Sequence, residues 1–148
     1  MKTYSTSHQQ AVRFHPNVNY IATASGDKTC RLWDTQTGQS VRLLTRHKSP
    51  VMAIAFSPNG RYLASGCTSG DVSLWDLGSG RRLKYFESAH TQTITSLSFS
   101  ECSGILVSAG MDSCVKVWDI SVGDGDEPMT LSAPKPYGQH LFLLLTQY

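Results

Sequence analysis

Short apolar segments separated by turn residues dominate the hydrophobic pattern of this 148-residue chain. Val51–Phe56 is an apolar run that ends at Ser-Pro-Asn-Gly, where proline presets φ and Asn-Gly tolerates the positive φ of a tight hairpin. A second strand is predicted to begin over Tyr62–Ser65, a third to span Asp71–Asp76, and a fourth, charged and more exposed, to span Arg82–Phe86. Helical periodicity is absent at useful length, so the pattern predicts an all-β fold.

The pattern repeats along the chain. Trp-Asp dipeptides begin at Trp33, Trp75 and Trp118, which are 42 and 43 residues apart. A phenylalanine precedes each tryptophan by 19 residues, and a histidine precedes the second and third by 28. The extra residue of the third unit therefore falls near Ser88-Ala89, in a loop between strands of unchanged length. Four short strands in a unit of about 42 residues indicate one blade of a β-propeller.

The units resemble WD40 repeats over residues 10–120. The sequences of that family's second and third strands are similar to Ile21–Asp27, Arg31–Asp34 and Leu63–Gly66. The resemblance implies an all-β partial β-propeller of three four-stranded antiparallel WD40 blades. The three repeats are predicted within residues 1–120, at about 5–46, 47–89 and 90–120.

A closer resemblance is carried by the segments Arg13–Asn17, Asn19-Tyr20, Gly38–Leu43, Ser96–Ser100 and Met111-Asp112. This resemblance is to the WD-repeat TBP-associated factors of TFIID and of SAGA-type histone acetyltransferase complexes. It implies a nuclear, non-catalytic interaction scaffold, a subunit or truncated form of a subunit of a transcription-factor or coactivator complex. Its partners would be proteins, with no direct nucleic-acid or membrane contact. The alternative is a substrate-receptor or signalling scaffold outside transcription, in the cytoplasm, because the fold does not fix the partner.

The units also carry polar residues and tryptophan at fixed offsets. The resemblance implies that these side chains form a buried hydrogen-bond network linking the strands. The residues expected to form this structural tetrad are Thr23, Asp27 and Trp33; His47, Ser65 and Trp75; and His90, Ser108, Asp112 and Trp118. Only the third unit is complete, since Ser69 holds the aspartate position of the second and Ser5 the histidine position of the first. Asp71 and His8 lie out of step, so neither is assigned to the tetrad.

Ser, His and Asp in the third unit invite a hydrolase interpretation. A catalytic triad needs an exposed nucleophile and an oxyanion hole, often within a motif such as G-x-S-x-G. Ser108 instead lies in the apolar run Leu106–Gly110. A propeller enzyme would need convergent acids, histidines or metal ligands, and the inner-strand candidates Arg13, Ser96 and Ser98 offer poor chemistry. We therefore predict a protein without enzymatic activity, catalytic residues or cofactors.

Loops that WD40 propellers place on one face are expected to carry the partner contacts. Such loops are held by rigid blades, and a few anchors supply most of the binding free energy. The candidate partner-binding residues are Lys28, Arg46, Lys48, Thr68, Thr91, Gln92 and Met111. Arg81, Arg82 and Lys84 form a small basic group that we interpret as an exposed edge strand rather than a nucleic-acid patch.

The amino-acid composition narrows the remaining structural and functional classes. With 40% hydrophobic and 16% charged residues, the chain is neither disordered nor a coiled coil. Thirteen basic residues nearly balance 11 acidic ones, which disfavours a dedicated nucleic-acid binder. Cys30, Cys67, Cys102 and Cys114 form no C-x-x-C pair, so we predict reduced thiols, buried in strands, rather than a metal site. The first ten residues show no signal-peptide pattern, which favours a cytosolic or nuclear location.

The repeat pattern fails after residue 120. Residues 121–148 are predicted as an irregular tail, with 121–136 loop-like and an edge strand at 139–147. Propellers typically close with four to eight blades. We favour a fragment or truncated form of a longer propeller. The alternatives are a partial propeller completed by another chain and self-association through unpaired blade edges.

Overall fold

Twelve strands in three antiparallel sheets make up the part of the chain that the computed structural model describes, residues 8–121 and 129–132. Blade 1 contains β1 (Gln9–Phe14), β2 (Tyr20–Ser25), β3 (Cys30–Asp34) and β4 (Ser40–Leu44). Blade 2 contains β5 (Val51–Phe56), β6 (Tyr62–Cys67), β7 (Val72–Asp76) and β8 (Arg81–Phe86). Blade 3 contains β9 (Ile94–Phe99), β10 (Ile105–Gly110), β11 (Cys114–Asp119) and β12 (Met129–Ser132). The predicted all-β partial propeller of three four-stranded blades is confirmed.

The four strands predicted for blade 2 are present, with one difference in the turn after β5. The Ser57 N–H donates to the Tyr62 carbonyl at 3.0 Å, so four residues form the loop. Gly60 has a φ of 71°, whereas Asn59 stays outside the left-handed region. Asn59 instead accepts hydrogen bonds from Ser57 Oγ and the Arg61 N–H through its side chain. The asparagine therefore stabilises the turn through its amide oxygen.

Blade 3 extends beyond the predicted end of the third repeat. β12 pairs antiparallel with β11, with Ser132 opposite Cys114 and Met129 opposite Val117. The prediction of a loop over 121–136 is therefore wrong at Met129–Ser132. Pairing with β11 satisfies backbone groups that would otherwise form an open strand edge, which explains the strand despite its weak sequence signal. The strand predicted at 139–147 lies outside the described residues.

The extra residue of the third unit lies in the loop between blades. Leu44 pairs with Cys30 and Phe86 pairs with Val72, so the fourth strands of blades 1 and 2 have the same register. From these strand ends, the chain takes three residues to reach His47 and four to reach His90. The register of the strands is unchanged while the loop has grown, as predicted.

Apolar faces packed between successive blades form the core. The cluster between blades 1 and 2 includes Leu32 and Leu44 on one side and Ile54, Leu63 and Trp75 on the other. The cluster between blades 2 and 3 includes Val72 and Leu74 on one side and Ile94, Leu106 and Trp118 on the other. Blade 2 has neighbours on both faces, and every residue of β7 is buried.

The outer face of blade 1 is more exposed than its counterpart in blade 2. Phe14 is 64% exposed and Val12 is 49% exposed. Phe56 holds the position in β5 that Phe14 holds in β1, and it packs against the core with the His15 ring 5.1 Å away. Position within the array of blades therefore decides burial, because the repeat places the same residue type at both sites.

Two turn positions adopt left-handed backbone in every blade. The φ values are 56°, 71° and 59° at Val18, Gly60 and Ser103, and 70°, 86° and 64° at Lys28, Gly70 and Ser113. The fold therefore imposes this conformation whether or not the residue is glycine. Glycine is required by space only where a neighbour occupies the position of a Cβ atom.

Alanine substitutions at three left-handed glycines should separate strain from crowding. A Cβ atom on Gly38 meets nothing within 4 Å, on Gly60 it lies 2.6 Å from the His15 ring, and on Gly70 it lies 1.9 Å from the His90 carbonyl oxygen. We expect Gly38→Ala to lower the unfolding free energy by about 1 kcal/mol through strain alone. Gly60→Ala should lower it by about 2 kcal/mol, and Gly70→Ala by about 3 kcal/mol, because overpacking is added. Urea unfolding measures the series, and equal losses at all three positions would contradict it.

Candidate functional site

Four side chains of blade 3 form a continuous hydrogen-bonded chain. Trp118 Nε1 donates to Ser108 Oγ at 2.9 Å, and Ser108 Oγ lies 2.8 Å from His90 Nε2. His90 Nδ1 lies 2.9 Å from Asp112 Oδ1. A carboxylate only accepts, so in the neutral imidazole Nδ1 carries the proton and the Ser108 hydroxyl donates to Nε2. The chain connects the loop before β9 to β10 and β11.

Asp112 also holds two loops in place. It accepts the backbone N–H groups of Thr91 and Cys114, each at 3.1 Å. Burial opposes ionisation of Asp112, but the hydrogen bonds from His90 and these two N–H groups outweigh it and lower the carboxyl pKa. The ionised side chain therefore anchors the turn before β11 and the loop before β9 to the same histidine.

Gly110 makes the His90–Asp112 contact sterically possible, and sequence reasoning missed it. A Cβ atom there would lie 2.7 Å from His90 Nδ1 and 2.8 Å from Asp112 Oδ1. Ser25 and Cys67 end the corresponding strands of blades 1 and 2. Glycine occurs at this strand end only in the blade with the complete tetrad, and that coincidence was the available signal.

Ser108, His90 and Asp112 are hydrogen-bonded in the same order as a hydrolase triad, but they are buried away from solvent. Ser108 is 0% exposed and His90 is 1% exposed. The Ser108 oxygen already accepts the Trp118 N–H, while its proton is directed at His90. A nucleophile must reach a substrate carbonyl beside an oxyanion hole, and this hydroxyl is enclosed by the blade. The geometry supports a network that links strands.

Blade 2 builds the same chain without an aspartate. Trp75 Nε1 donates to Ser65 Oγ at 2.9 Å, Ser65 Oγ lies 2.9 Å from His47 Nε2, and His47 Nδ1 lies 3.1 Å from the Lys28 carbonyl oxygen. The left-handed Lys28 thus supplies, from blade 1, the acceptor that Asp112 supplies in blade 3. Burial lowers the pKa of His47 to about 4, because it disfavours the charged imidazolium. The hydrogen bond to the Lys28 carbonyl opposes this shift, and the positive charge of Arg82 adds to it.

The residues that replace the aspartate in blade 2 have another role. Ser69 Oγ donates to Asp71 Oδ2 at 2.6 Å, and Asp71 accepts the Ser88 N–H at 2.8 Å. Asp71 is thereby tied to the loop leading into blade 3 rather than to His47. The structure does not bring Ser69 or Asp71 into the tetrad.

Within the described residues, blade 1 shows the tryptophan–hydroxyl contact of the network. Trp33 Nε1 donates to Thr23 Oγ1 at 3.0 Å, while Asp27 accepts the N–H and hydroxyl of Thr29 within its own turn. His8 contributes its backbone carbonyl, which accepts the Gly26 N–H at 3.1 Å. Ser5 lies outside the described residues.

The seven candidate partner-binding residues lie at one edge of the blades, which we call the loop rim. Strand direction alternates, so the turns and loops that follow β2, β4, β6, β8 and β10 all lie at the same edge. The loop rim carries Lys28, Arg46, Lys48, Thr68, Thr91, Gln92 and Met111. All of these are exposed except Thr68, which is half-buried and whose carbonyl accepts the Thr93 hydroxyl. Lys48 is paired with Glu87.

The four cysteines are free thiols in different surroundings. Cys30 and Cys67 are buried in strands of the first core cluster, and burial raises the pKa of Cys67 to about 11. Cys102 is exposed in the turn between β9 and β10, so the prediction of a buried strand residue is wrong there. Cys114 is half-buried. Across residues 8–121 and 129–132, no group of three His, Cys, Asp or Glu residues is placed to hold a metal ion.

None of the described segments forms a helix of the length and apolar character needed to cross a membrane.

The three blades and their repeated tryptophan–hydroxyl contacts, which extend to a histidine in blades 2 and 3, define a partial β-propeller of repeated units. The family model for the WD domain, G-beta repeat, matches residues 2–34, 38–76 and 80–119. The chain therefore belongs to the WD40 repeat family, whose members are typically non-enzymatic protein-interaction scaffolds. The predicted WD40 resemblance is confirmed.

Similar proteins differ in function and are longer than the match. The nuclear distribution protein nudF of Aspergillus niger is 31% identical over 123 residues, which cover 79% of this chain and 28% of nudF. Transcription initiation factor TFIID subunit 5 of Caenorhabditis elegans is 42% identical over 41 residues, covering 28% of this chain and 6% of that subunit. The chain therefore spans less than a third of these curated relatives.

Solved structures share the fold at moderate sequence identity. The structure of U3-55K superposes with a TM-score of 0.81 and 26% identity, covering 90% of this chain and 42% of that chain. The WD40 repeats of RRP9 give the same score and identity, covering 41% of that chain. These likenesses establish blade geometry without selecting a partner.

Substitutions at two equivalent positions should show that the tetrad aspartate is structural. Asp112→Ala leaves the His90 Nδ1–H and two loop N–H groups without their acceptor, so we expect the unfolding free energy to fall by about 2 kcal/mol. Ser69→Ala, at the matching position of blade 2, leaves the His47 contacts intact but removes the hydrogen bond from Ser69 Oγ to Asp71, so it should lower this free energy by only about 1 kcal/mol. Urea unfolding compares the two variants. Equal losses would mean that Asp112 does not hold blade 3 through His90.

Proposed function

We propose that this chain is a non-catalytic interaction scaffold that acts as a subunit of a general transcription factor or histone acetyltransferase coactivator complex. The observation that carries the scaffold role is the contrast between a sealed polar network and an exposed loop rim. The polar side chains that resemble a catalytic set are buried, whereas loop side chains are presented on rigid strands. Such an arrangement favours docking of proteins over turnover of a substrate.

The loop rim has the chemistry of a protein-docking surface. Met111 is 63% exposed, and methionine adapts its shape to a partner. Lys28 and Arg46 add positive charge, while Thr91 and Gln92 add hydrogen-bonding groups, all of them exposed. The network beneath fixes the backbone, because Lys28 binds His47 and Thr91 binds Asp112. Preorganised loops lose less entropy when a partner binds.

The transcription role is supported by the 41-residue segment that is 42% identical to TFIID subunit 5. A nuclear location follows from that assignment, and the partners are protein subunits. A net charge of +2 over 148 residues favours protein contacts over direct DNA contact. Any association with DNA then runs through the complex.

A scaffold outside transcription is the second candidate. The match to nudF covers 123 residues, three times the length of the TFIID match, although at lower identity. That longer match supports a scaffold outside transcription, and a substrate-receptor or signalling role in the cytoplasm is the form that we propose for it. Both candidates use the same loop rim and differ in the partner.

Affinity purification of the tagged chain tests this proposal. We expect acetyltransferase-complex or TFIID subunits to co-purify from nuclear extract. Met111→Glu should reduce their recovery about tenfold, since a charge at a docking contact opposes burial. Gln36→Glu, which places a new carboxylate on the exposed β3–β4 turn at the opposite edge, is the control and should leave recovery unchanged. Recovery of signalling proteins or ubiquitin-ligase adaptors alone would overturn the transcription assignment.

A further inference from the structure

A cleft lies between the outer strands of blades 1 and 2. Its volume is about 320 Å³, at the lower end of the range for ligand sites. β4 and the following loop contribute Leu43 and Arg46, and blade 2 contributes Trp75, Arg81 and Arg82. The cleft therefore combines three guanidinium groups with apolar surface. Trp75 also belongs to the polar network of blade 2, whereas the histidine and serine of that network do not line the cleft.

Arg82 is held in a defined orientation within this cleft. Its guanidinium carbon lies 4.4 Å from the ring centre of Tyr85 and 6.0 Å from that of Trp75. Arg82 Nη1 donates to the Arg46 carbonyl at 3.1 Å. Stacking against aromatic rings and a backbone hydrogen bond reduce the freedom that a ligand would otherwise have to remove.

The other cleft arginines are exposed and have no carboxylate partner in the described part of the chain. The ion pairs in the described part of the chain join Lys48 to Glu87, Arg61 to Asp76 and His90 to Asp112. Asp76 and Glu87, which flank β8, are thus already paired with cations other than Arg46 and Arg81. Three positive charges therefore line one cleft, and none of its described lining residues is acidic.

Leu43 gives the cleft an apolar border. It is 52% exposed and offers contact to an apolar side chain. A guanidinium group presents paired N–H donors that match a carboxylate in a bidentate geometry. The small volume and the mixture of arginine with apolar surface suit alternating side chains of a peptide better than the backbone of a nucleic-acid duplex.

We propose that this cleft binds a carboxylate-rich peptide segment of a partner protein. Arg46 and Arg81 pair with its acidic side chains, and Leu43 contacts an apolar residue between two acidic ones. Arg82 holds the Arg46 backbone in position at the base of the cleft. The inference rests on the proposed scaffold function, for which it supplies the chemistry of one partner. It adds Arg81 and Arg82 to the docking surface, although the sequence pattern indicated only an exposed edge strand.

Fluorescence anisotropy with defined peptides tests the cleft. The probe is a short fluorescein-labelled peptide of alternating aspartate and leucine, compared with its asparagine–leucine counterpart. We expect the aspartate peptide to bind about tenfold more tightly, with affinity falling as salt is raised. The double variant Arg46→Gln/Arg81→Gln should weaken its binding at least about tenfold. Arg13→Gln, which removes one charge at an exposed position of β1, is the matched control for the single variants Arg46→Gln and Arg81→Gln and should bind like the wild type.

Several results would overturn the proposal. These are equal binding by the double variant, an equal loss in Arg13→Gln, equal binding of the asparagine peptide, or binding only of a phosphoserine–leucine peptide. The urea midpoint of the double variant, expected to match the wild type, verifies its fold. Failed peptide binding with retained co-purification of coactivator subunits refutes the cleft alone. Peptide binding without those subunits refutes the transcription assignment alone.

Discussion

Face-to-face packing of each sheet on the next is the interaction on which the rest of this structure depends. A four-stranded blade is apolar on both faces and needs a neighbour to cover each of them. The Ile94 side chain of the next blade packs so closely on the backbone at Gly66 that a Cβ atom there would lie 2.3 Å from Ile94 Cγ2. Trp75 and Trp118 lie within these contact surfaces and are almost fully buried. Their burial is what places the polar networks away from water.

The polar networks follow from that packing. A buried indole N–H requires an acceptor, and the hydroxyl one strand away provides it while donating to histidine. The histidine then needs an acceptor for its second nitrogen. Blade 3 uses the side chain of Asp112, and blade 2 uses the backbone carbonyl of Lys28 from the preceding blade. The two solutions are alike in geometry, but the second also links adjacent blades. The loop rim is rigid because these bonds end in its turns.

The spacing of the units and their hydrophobic pattern predicted four-stranded blades and the blade count, and the resemblance to WD40 repeats implied the side chains that meet at Trp118. Tryptophan, histidine and hydroxyl residues at constant offsets must occupy equivalent places in equivalent sheets. Backbone chemistry was not predictable, because the acceptor at Lys28 belongs to a carbonyl that every residue possesses. β12 carries little pattern and is specified by pairing with β11. The arginine cleft was missed because it joins residues of two blades, whereas a repeat pattern describes each blade separately.

Amide hydrogen exchange along the whole chain tests the dependence on inter-blade packing most directly. Blade 2 is covered on both faces, whereas the outer face of blade 1 exposes Val12 and Phe14. Protection follows local burial and hydrogen bonding. The account predicts the slowest exchange in β6 and β7, and faster exchange at the equivalent amides of β2 and β3. Equal protection of β2–β3 and β6–β7 would contradict it, because each blade would then be stable without a neighbour on both faces.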